Sequence, residues 1–545
     1  MPDLFPELVS LWQQLMPSEA YVSGLPDTFG RIFYPDAENR KAMESRISSL
    51  WKETVDLRHR SFLRWARSRN AIQEPHQGIQ EAIKAYTDHL MRTGPGSPII
   101  GKLLVSITDR LILDMEAFDP EKVPLEMRFM VINRLGVLLS YLNRLPGNFQ
   151  FHQEQRALLS VIDEMWEMYD ADDIKGASSG ELLEILDSGD GTLGRDRTFD
   201  IILRDLHSCS LRTDDIESML RMDLYNTMPD MKEILKRSSD RYGVGMDTEE
   251  VTTAMTWERR LKANAILEFL SEERDECLAF ADSSFMDVPR TGELRIVETP
   301  PYLTSSVRIG SIFNFDGLSG KPSSKLYINT RNQRMGHLSV PELYMFIIRE
   351  DLGSRTVYFN SFRGLTLENN TIDLLDRSAS LSMAGALSRF IEDIAMKKLR
   401  KGPGSGFSNG TLVEAYGDDP SARELIMDLE YISARDRVMD IISGLCDARV
   451  NSGKQSLPDL IRWVHIVTGI DNASILRACM KALIYPGMCS TRMVAHKGLT
   501  ELYQVALGKE IDPRMFLRRV TSAGYPELGC MKDRMMDQES RTFSR

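Results

Sequence analysis

Residues 339–362 read SVPELYMFIIREDLGSRTVYFNSF. An apolar run closes on Ile347-Ile348, and a charged pair, Arg349-Glu350, follows it directly. The run predicts a buried helix over about 340–350 that ends in charge. Upstream the pattern changes. From 291 to 330, short β-prone runs (RIVE, SIFNF, KLYIN) alternate with Pro, Gly and Ser turns, so a small sheet is expected to feed that helix. Elsewhere the spacing is helical. AENRKAMESRISSLWKETVDL, VPLEMRFMVINRLGVLLSYLNRL and RLKANAILEFLSEERDECLAFA all place apolar residues three and four apart. GPGSP at 94–98, SGDGTLG at 188–194 and KGPGSG at 401–406 interrupt them. The expected fold class is mainly α with a small central β-sheet. A helical N-terminal region, 1–290, is expected to form one continuous unit with a second region, 291–545.

The composition, 42% hydrophobic and 27% charged over 545 residues, is that of a globular protein with ample chain for a core. A net charge of -12 argues against general binding to a phosphate backbone, so no nucleic-acid partner is expected. Cysteines at 209, 277, 446, 479, 489 and 530 form no C-x-x-C pair, which points to a reducing, cytoplasmic setting. The opening MPDLFPELVSLWQQL lacks a basic segment followed by a long apolar one, and no stretch reaches the length of a membrane span.

Four stretches carry a resemblance to a known family. They are MPSEAYVSGLPDTF at 16–29, IVETPPYL at 296–303, SSKLYINT at 323–330, and the segment from YPGMCSTRMVAHKG at 485 to the C-terminal region. Together they resemble, end to end, a large family of bacterial and archaeal carboxypeptidase-like zinc proteins. Its members carry H-E-x-x-P-G-H-H and are similar to gluzincin metallopeptidases. The resemblance implies a helical shell around a deep cleft. It also implies a zinc held by two His and a downstream Glu, with the Glu of H-E as general base.

Zinc needs lone pairs from neutral imidazole, carboxylate or thiolate, plus an open site for water. Laid on this chain, the first His position is Arg349 and the base is Glu350. Gly353-Ser354 replaces Pro-Gly, and Arg355 and Thr356 replace the two further His. The third-ligand Glu falls on Met383, in SMAGALSRFIED. A guanidinium only donates, and a thioether is a poor zinc ligand. The resemblance therefore implies a degenerate member with no metal and no cofactor. Downstream, Asp447 is retained, a His position is Asn451, and a Tyr position is Thr491, beside Arg492. Losing a dication would strand Glu350 in a partly apolar site. Arg349 or Arg355 is then expected to pair with it in place of the ion, unless both simply reach solvent from a helix end.

The eight histidines offer no pair three to five residues apart to seed a helical metal site. His337, in RMGHLSV ahead of the altered helix, reads either as facing the cleft or, the reading preferred, as capping or bordering a turn. Cys489 and His496 lie seven apart and read either as a thiol–imidazole pair or as a buried thiol and an exposed ring. The Gly-rich KGPGSGFSNG lacks a phosphate cradle's G-K-[ST] ending, and DSGDGTLGRDRTFD lacks calcium-loop spacing. The expected function is non-catalytic binding of a peptide or small carboxylate through Arg349, Arg355, Asp447, Asn451 and Arg492. Alternatives are a metal-independent hydrolase or lyase with Glu350 as base, or a scaffold partner of an active homologue.

Overall fold

The computed structural model describes residues 4–25, 28–146, 149–169, 179–187, 193, 195, 198–288, 293–304, 307, 310–315, 323–330, 338–362, 381–400, 420–523 and 531. The chain is mainly α, with small sheets of two and three strands. It forms two compact units, each drawn from three stretches: 1–224, 299–308 and 439–490 in the first, and 225–298, 309–438 and 491–545 in the second. The position 290/291, where composition shifts towards β, lies inside the second unit.

The residues of interest sit on α1 (Gln77–Thr93), α2 (Leu125–Leu142), α3 (Val340–Phe346), α4 (Leu381–Arg400), α5 (Pro420–Val450), α6 (Asn472–Ile484) and α7 (Met488–Gly508). In the first unit, α1 buries Ile79, Ala82, Ile83, Tyr86 and Leu90 at three-to-four spacing and stops at Gly94, whose φ is +76°. Each large aliphatic side chain so buried contributes about 1.5–3 kcal/mol. Helix α6 starts under an Asp471 cap, which accepts from the Ser474 amide at 2.8 Å.

In the second unit, the three β-prone runs fall on β2 (Glu293–Glu298), β3 (Gly310–Phe315) and β4 (Ser323–Ile328). Strand β4 is central, parallel to β2 and antiparallel to β3, with Ile296 opposite Leu326 and Ile312 opposite Leu326. Two shorter strands, β1 (Arg260–Leu261) and β5 (Leu338–Ser339), pair antiparallel, and β5 leads straight into α3. A capping box starts α3: Ser339 Oγ accepts from the Glu342 amide at 3.4 Å, and Glu342 Oε2 accepts from the Ser339 amide at 3.2 Å.

The expected helix does not continue as an α-helix. Residues Ile347–Arg355 wind as a π-helix before α-helix resumes at Thr356–Phe362. The wider turn frees carbonyls, and side chains take them up. Ser388 Oγ donates to the Arg349 carbonyl at 2.6 Å, and Thr356 Oγ1 to the Asp351 carbonyl at 3.0 Å. Gly353 permits the contact with α4, since a Cβ there would lie 2.7 Å from Ser388 Oγ and 2.9 Å from its Cα. π-Turns of this kind concentrate at functional sites.

Candidate functional site

The π-helical turn places Arg349 against two acids from other helices of the second unit. Its Nε and Nη2 donate to the two oxygens of Glu392 on α4, at 2.5 and 3.2 Å, and its Nη1 donates to Asp436 on α5 at 2.5 Å. Glu392 is completely buried and also accepts from Arg389 Nη1 at 2.5 Å and Ser433 Oγ at 2.6 Å. Asp436 is further held by Arg435, with Nε at 3.0 Å and Nη2 at 2.9 Å. Burial would pull the Arg349 guanidinium down, but Asp436 and Glu392 hold it well above its ordinary range. Burial would likewise raise Asp436, yet Arg435 and Arg349 hold its carboxyl far below the usual carboxylate range.

A second buried pair sits one turn on. Arg355, 2% exposed, donates through Nε to Asp351, which is 1% exposed and also receives Arg274 Nε. The Arg355 guanidinium lies over the Phe359 ring, 5.4 Å from its centroid. The two arginines expected to pair with Glu350 are thus bound to other acids: Arg349 to Glu392 and Asp436, Arg355 to Asp351. Neither points to solvent as an exposed helix end would. Glu350 is half-buried on the same turn.

The remaining substituted positions of this unit gather where α4 faces α7. Met383 is 1% exposed. Its neighbour Ser382 shares a 2.5 Å hydroxyl–hydroxyl hydrogen bond with Thr491. A Cβ on Gly385 would lie 2.6 Å from Arg492 Cδ, so the absence of a side chain there lets Arg492 cross α4. One helix turn further, His496 Nε2 meets Asp393 Oδ2 at 2.9 Å. Burial would raise the Asp393 carboxyl, but His496, with Arg437 and Arg389, holds it below its ordinary value. His496 is therefore a buried, carboxylate-bound ring, and Cys489 is a fully buried cysteine in no disulfide among the described residues.

Asp447 and Asn451 belong to the first unit and form a different device. Both are completely buried; Asp447 stands in the last turn of α5 and Asn451 directly after its end. Asp447 accepts from the amides of Gly487 at 2.7 Å and Ser490 at 2.9 Å, from Ser490 Oγ at 2.8 Å, and from Asn451 Nδ2 at 2.7 Å. It caps the start of α7. Burial pushes its carboxyl up against the pull of these four bonds. The Pro486-Gly487 step has a local cause. Gly487 takes φ +82°, and a Cβ there would lie 2.6 Å from the His207 ring, whose Nε2 bonds the Pro486 carbonyl at 2.9 Å. Asn451 Oδ1 accepts from Arg195 Nη1 at 2.5 Å, and Arg195 grips both oxygens of Glu74 at 2.5 Å each. Asp447 and Asn451 thus serve a helix start and a buried ion pair.

Among the described residues, no group of three His, Cys, Asp or Glu is placed to hold a metal ion. His337 and the loop KGPGSGFSNG lie outside the described residues, as does most of DSGDGTLGRDR, of which Asp187, Leu193 and Arg195 are described. A shallow depression of about 450 Å³ in the second unit is lined by Tyr242, Ala254, Trp257, Glu258 and Arg260, none of them nominated by sequence. The acids that hold the arginines, Glu392, Asp436 and Asp351, were also missed. The signal for Glu392 was present: it stands inside FIEDI on a helix that buries Leu387, Phe390, Ile391 and Ile394. An acid on that face demands a cation.

No protein-family model and no curated protein matches the chain. The fold is nonetheless shared along nearly its whole length with two solved proteins named as lipoproteins. One, from Colwellia psychrerythraea, aligns at TM-score 0.60 and 13% identity, covering 98% of this chain and 99% of that one. The other, of unknown function and from Shewanella oneidensis, aligns at TM-score 0.64 and 13% identity, with the same coverage. Among the described residues, no helix is long and apolar enough to cross a membrane.

Proposed function

We propose that this is a metallopeptidase-like protein without its zinc chemistry, acting by binding a peptide or small carboxylate rather than by cleaving it. The observation that carries the reading is Arg349. Where a metal ligand would stand, a permanent cation is locked to Glu392 and Asp436 by three charge-assisted bonds. A guanidinium has no lone pair for a metal, and these donors are already used. A second reading, a scaffold that pairs with an active homologue, is favoured by the same self-sufficiency, because Arg355 is also spent on an internal acid. We further place the protein in the cytoplasm, on the strength of five described cysteines that are all buried and form no disulfide among the described residues. Membrane fractionation tests that placement against a lipid-anchored one, which would leave the chain with the membranes.

The test is zinc analysis of the purified full chain after incubation with excess Zn²⁺ and gel filtration, run beside a peptidase assay on mixed tripeptides. Well under one equivalent of zinc and no cleavage are expected. A stoichiometric, activity-linked zinc defeats the proposal. Cleavage that persists in chelator but vanishes in Glu350→Gln would favour a metal-independent hydrolase.

A further inference from the structure

The first unit contains a half-buried cation that meets no acid among the described residues. Arg134 sits on α2. Its Nη1 donates to Gln80 Oε1 on α1 at 3.4 Å, and its Nη2 to the side-chain oxygen of Asn133. Its Nε–H is buried and meets no acceptor among the described residues. Each of the buried arginines described above is held by a carboxylate, and Arg134 is the exception. Burial holds its guanidinium below the ordinary range, and the nearby Tyr485 and Tyr141 only partly offset this. Desolvating a guanidinium without a counter-charge is costly, so such an arrangement is the free state of a site whose anion comes from outside.

The neighbours are arranged as donors. Gln80 uses its carbonyl on Arg134, which fixes its amide the other way, and Nε2 donates to the Tyr485 hydroxyl oxygen at 2.5 Å. Tyr485 therefore keeps its own proton to give. Lys84 lies near Tyr485 and is occupied by Asp88 at 2.7 Å and Glu19 at 3.8 Å, so these two acids are already matched. The place is open to solvent. Tyr485 is 37% exposed and the Lys84 side chain 40%.

We propose that Arg134, with the Tyr485 hydroxyl, forms a carboxylate-binding site, with Gln80 and Asn133 setting the orientation of the guanidinium and the phenol. A carboxylate offers two coplanar oxygens to the guanidinium fork, and one of them can take the Tyr485 proton as well. The ligand is a small organic acid or the C-terminal carboxylate of a peptide. The site stands on these contacts alone and does not depend on the reading of Arg349.

The test is calorimetric titration of the full chain with sodium succinate, trialanine and trialanine amide. Saturable binding of succinate or trialanine is expected, and loss of trialanine binding on amidation would assign a peptide C-terminus. Succinate binding without trialanine binding would assign a small acid. Arg134→Met should abolish binding while the melting temperature holds or rises, because no ion pair is lost; a merely structural arginine would lower it. Tyr485→Phe should weaken binding about tenfold. Should Arg134→Met fail to fold, Arg134→Lys, which keeps charge but not the fork, should weaken binding about tenfold instead. Binding unchanged in either Arg134 variant, or no response of the wild type to any of the three probes at millimolar concentration, overturns the proposal.

Discussion

Replacing Arg349 with Met removes the cation and keeps most of the side-chain length. Three charge-assisted bonds are lost, each worth about 1.5–3 kcal/mol in general. The full sum overstates the cost, for two reasons visible in the contacts. Glu392 retains Arg389 and Ser433, and Asp436 retains Arg435, so neither acid is left bare. The Arg349 side chain is also 24% exposed, which screens part of the attraction. The net loss expected is about 3 kcal/mol, the lower end of what breaking a buried pair costs. Because the chain has two units, a single global transition is not assured. The measurement should therefore be local: hydrogen exchange of α4 and of α5 up to Val438, read together with urea unfolding followed by circular dichroism. Tryptophan fluorescence would report poorly here, since Trp257 is the one tryptophan of this unit and is 57% exposed. Arg349→Met combined with Asp436→Asn should cost less than the sum of the single changes, because the second removes the charge that the first strands. A loss under about 1 kcal/mol, or strict additivity, would mean an ordinary surface pair and would refute the assignment of Arg349 as a structural cation.

Asp447→Asn turns an acceptor of four bonds into a partial donor facing Asn451 and two amides, and should destabilise the first unit by about 2–3 kcal/mol; thermal unfolding with hydrogen exchange at residues 488–492 reads it. Gly487→Ala must hold φ +82° and push a methyl against the His207 ring, so a loss of at least about 1–3 kcal/mol is expected from urea midpoints. His76, His89 and His207 are each lowered to about 4, burial being the first cause in every case. Their folded values lie below the unfolded value of about 6.5, so their contribution is complete above that pH and is lost as pH falls towards 4. The urea midpoint of the first unit should fall between pH 7 and pH 5, and a midpoint unchanged over that range would contradict it.

Much of the fold was legible because it rests on local periodicity. The β-prone runs RIVE, SIFNF and KLYIN became the three-stranded sheet, and the apolar run before Arg349 became a helix. The π-turn was not legible. Apolar spacing does not separate a π-turn from an α-turn over nine residues, and what stabilises it is Ser388, reached through the bare face of Gly353. The partners of Arg349 were hidden for a related reason. Glu392 lies 43 residues away and Asp436 lies 87 away, so only tertiary packing brings them together. Sequence offered Arg349 one obvious neighbour, Glu350, but adjacent helical residues do not face each other. Asp447 and Asn451, by contrast, are brought together by their four-residue spacing across the end of α5, and they do bond. The task of Asp447, accepting from the Gly487 amide 40 residues away at the start of α7, was beyond the reach of spacing.

The contrast between Arg349 and Arg134 bears on where an external carboxylate can be recognised. At Arg349 and Arg355 a ligand would compete with Glu392, Asp436 and Asp351, carboxylates tethered in place and already paired. A tethered group holds an effective concentration in the millimolar range or above, and displacing it strands a buried acid as well. At Arg134 the acceptors are amide oxygens of Gln80 and Asn133, whose bonds to a guanidinium are weaker than those of a charged acceptor. An incoming carboxylate there improves every interaction that it replaces. Carboxylate binding that survived Arg349→Met and Arg355→Met but not Arg134→Met would therefore separate two roles for arginine in this chain, one holding the fold and the other holding a ligand.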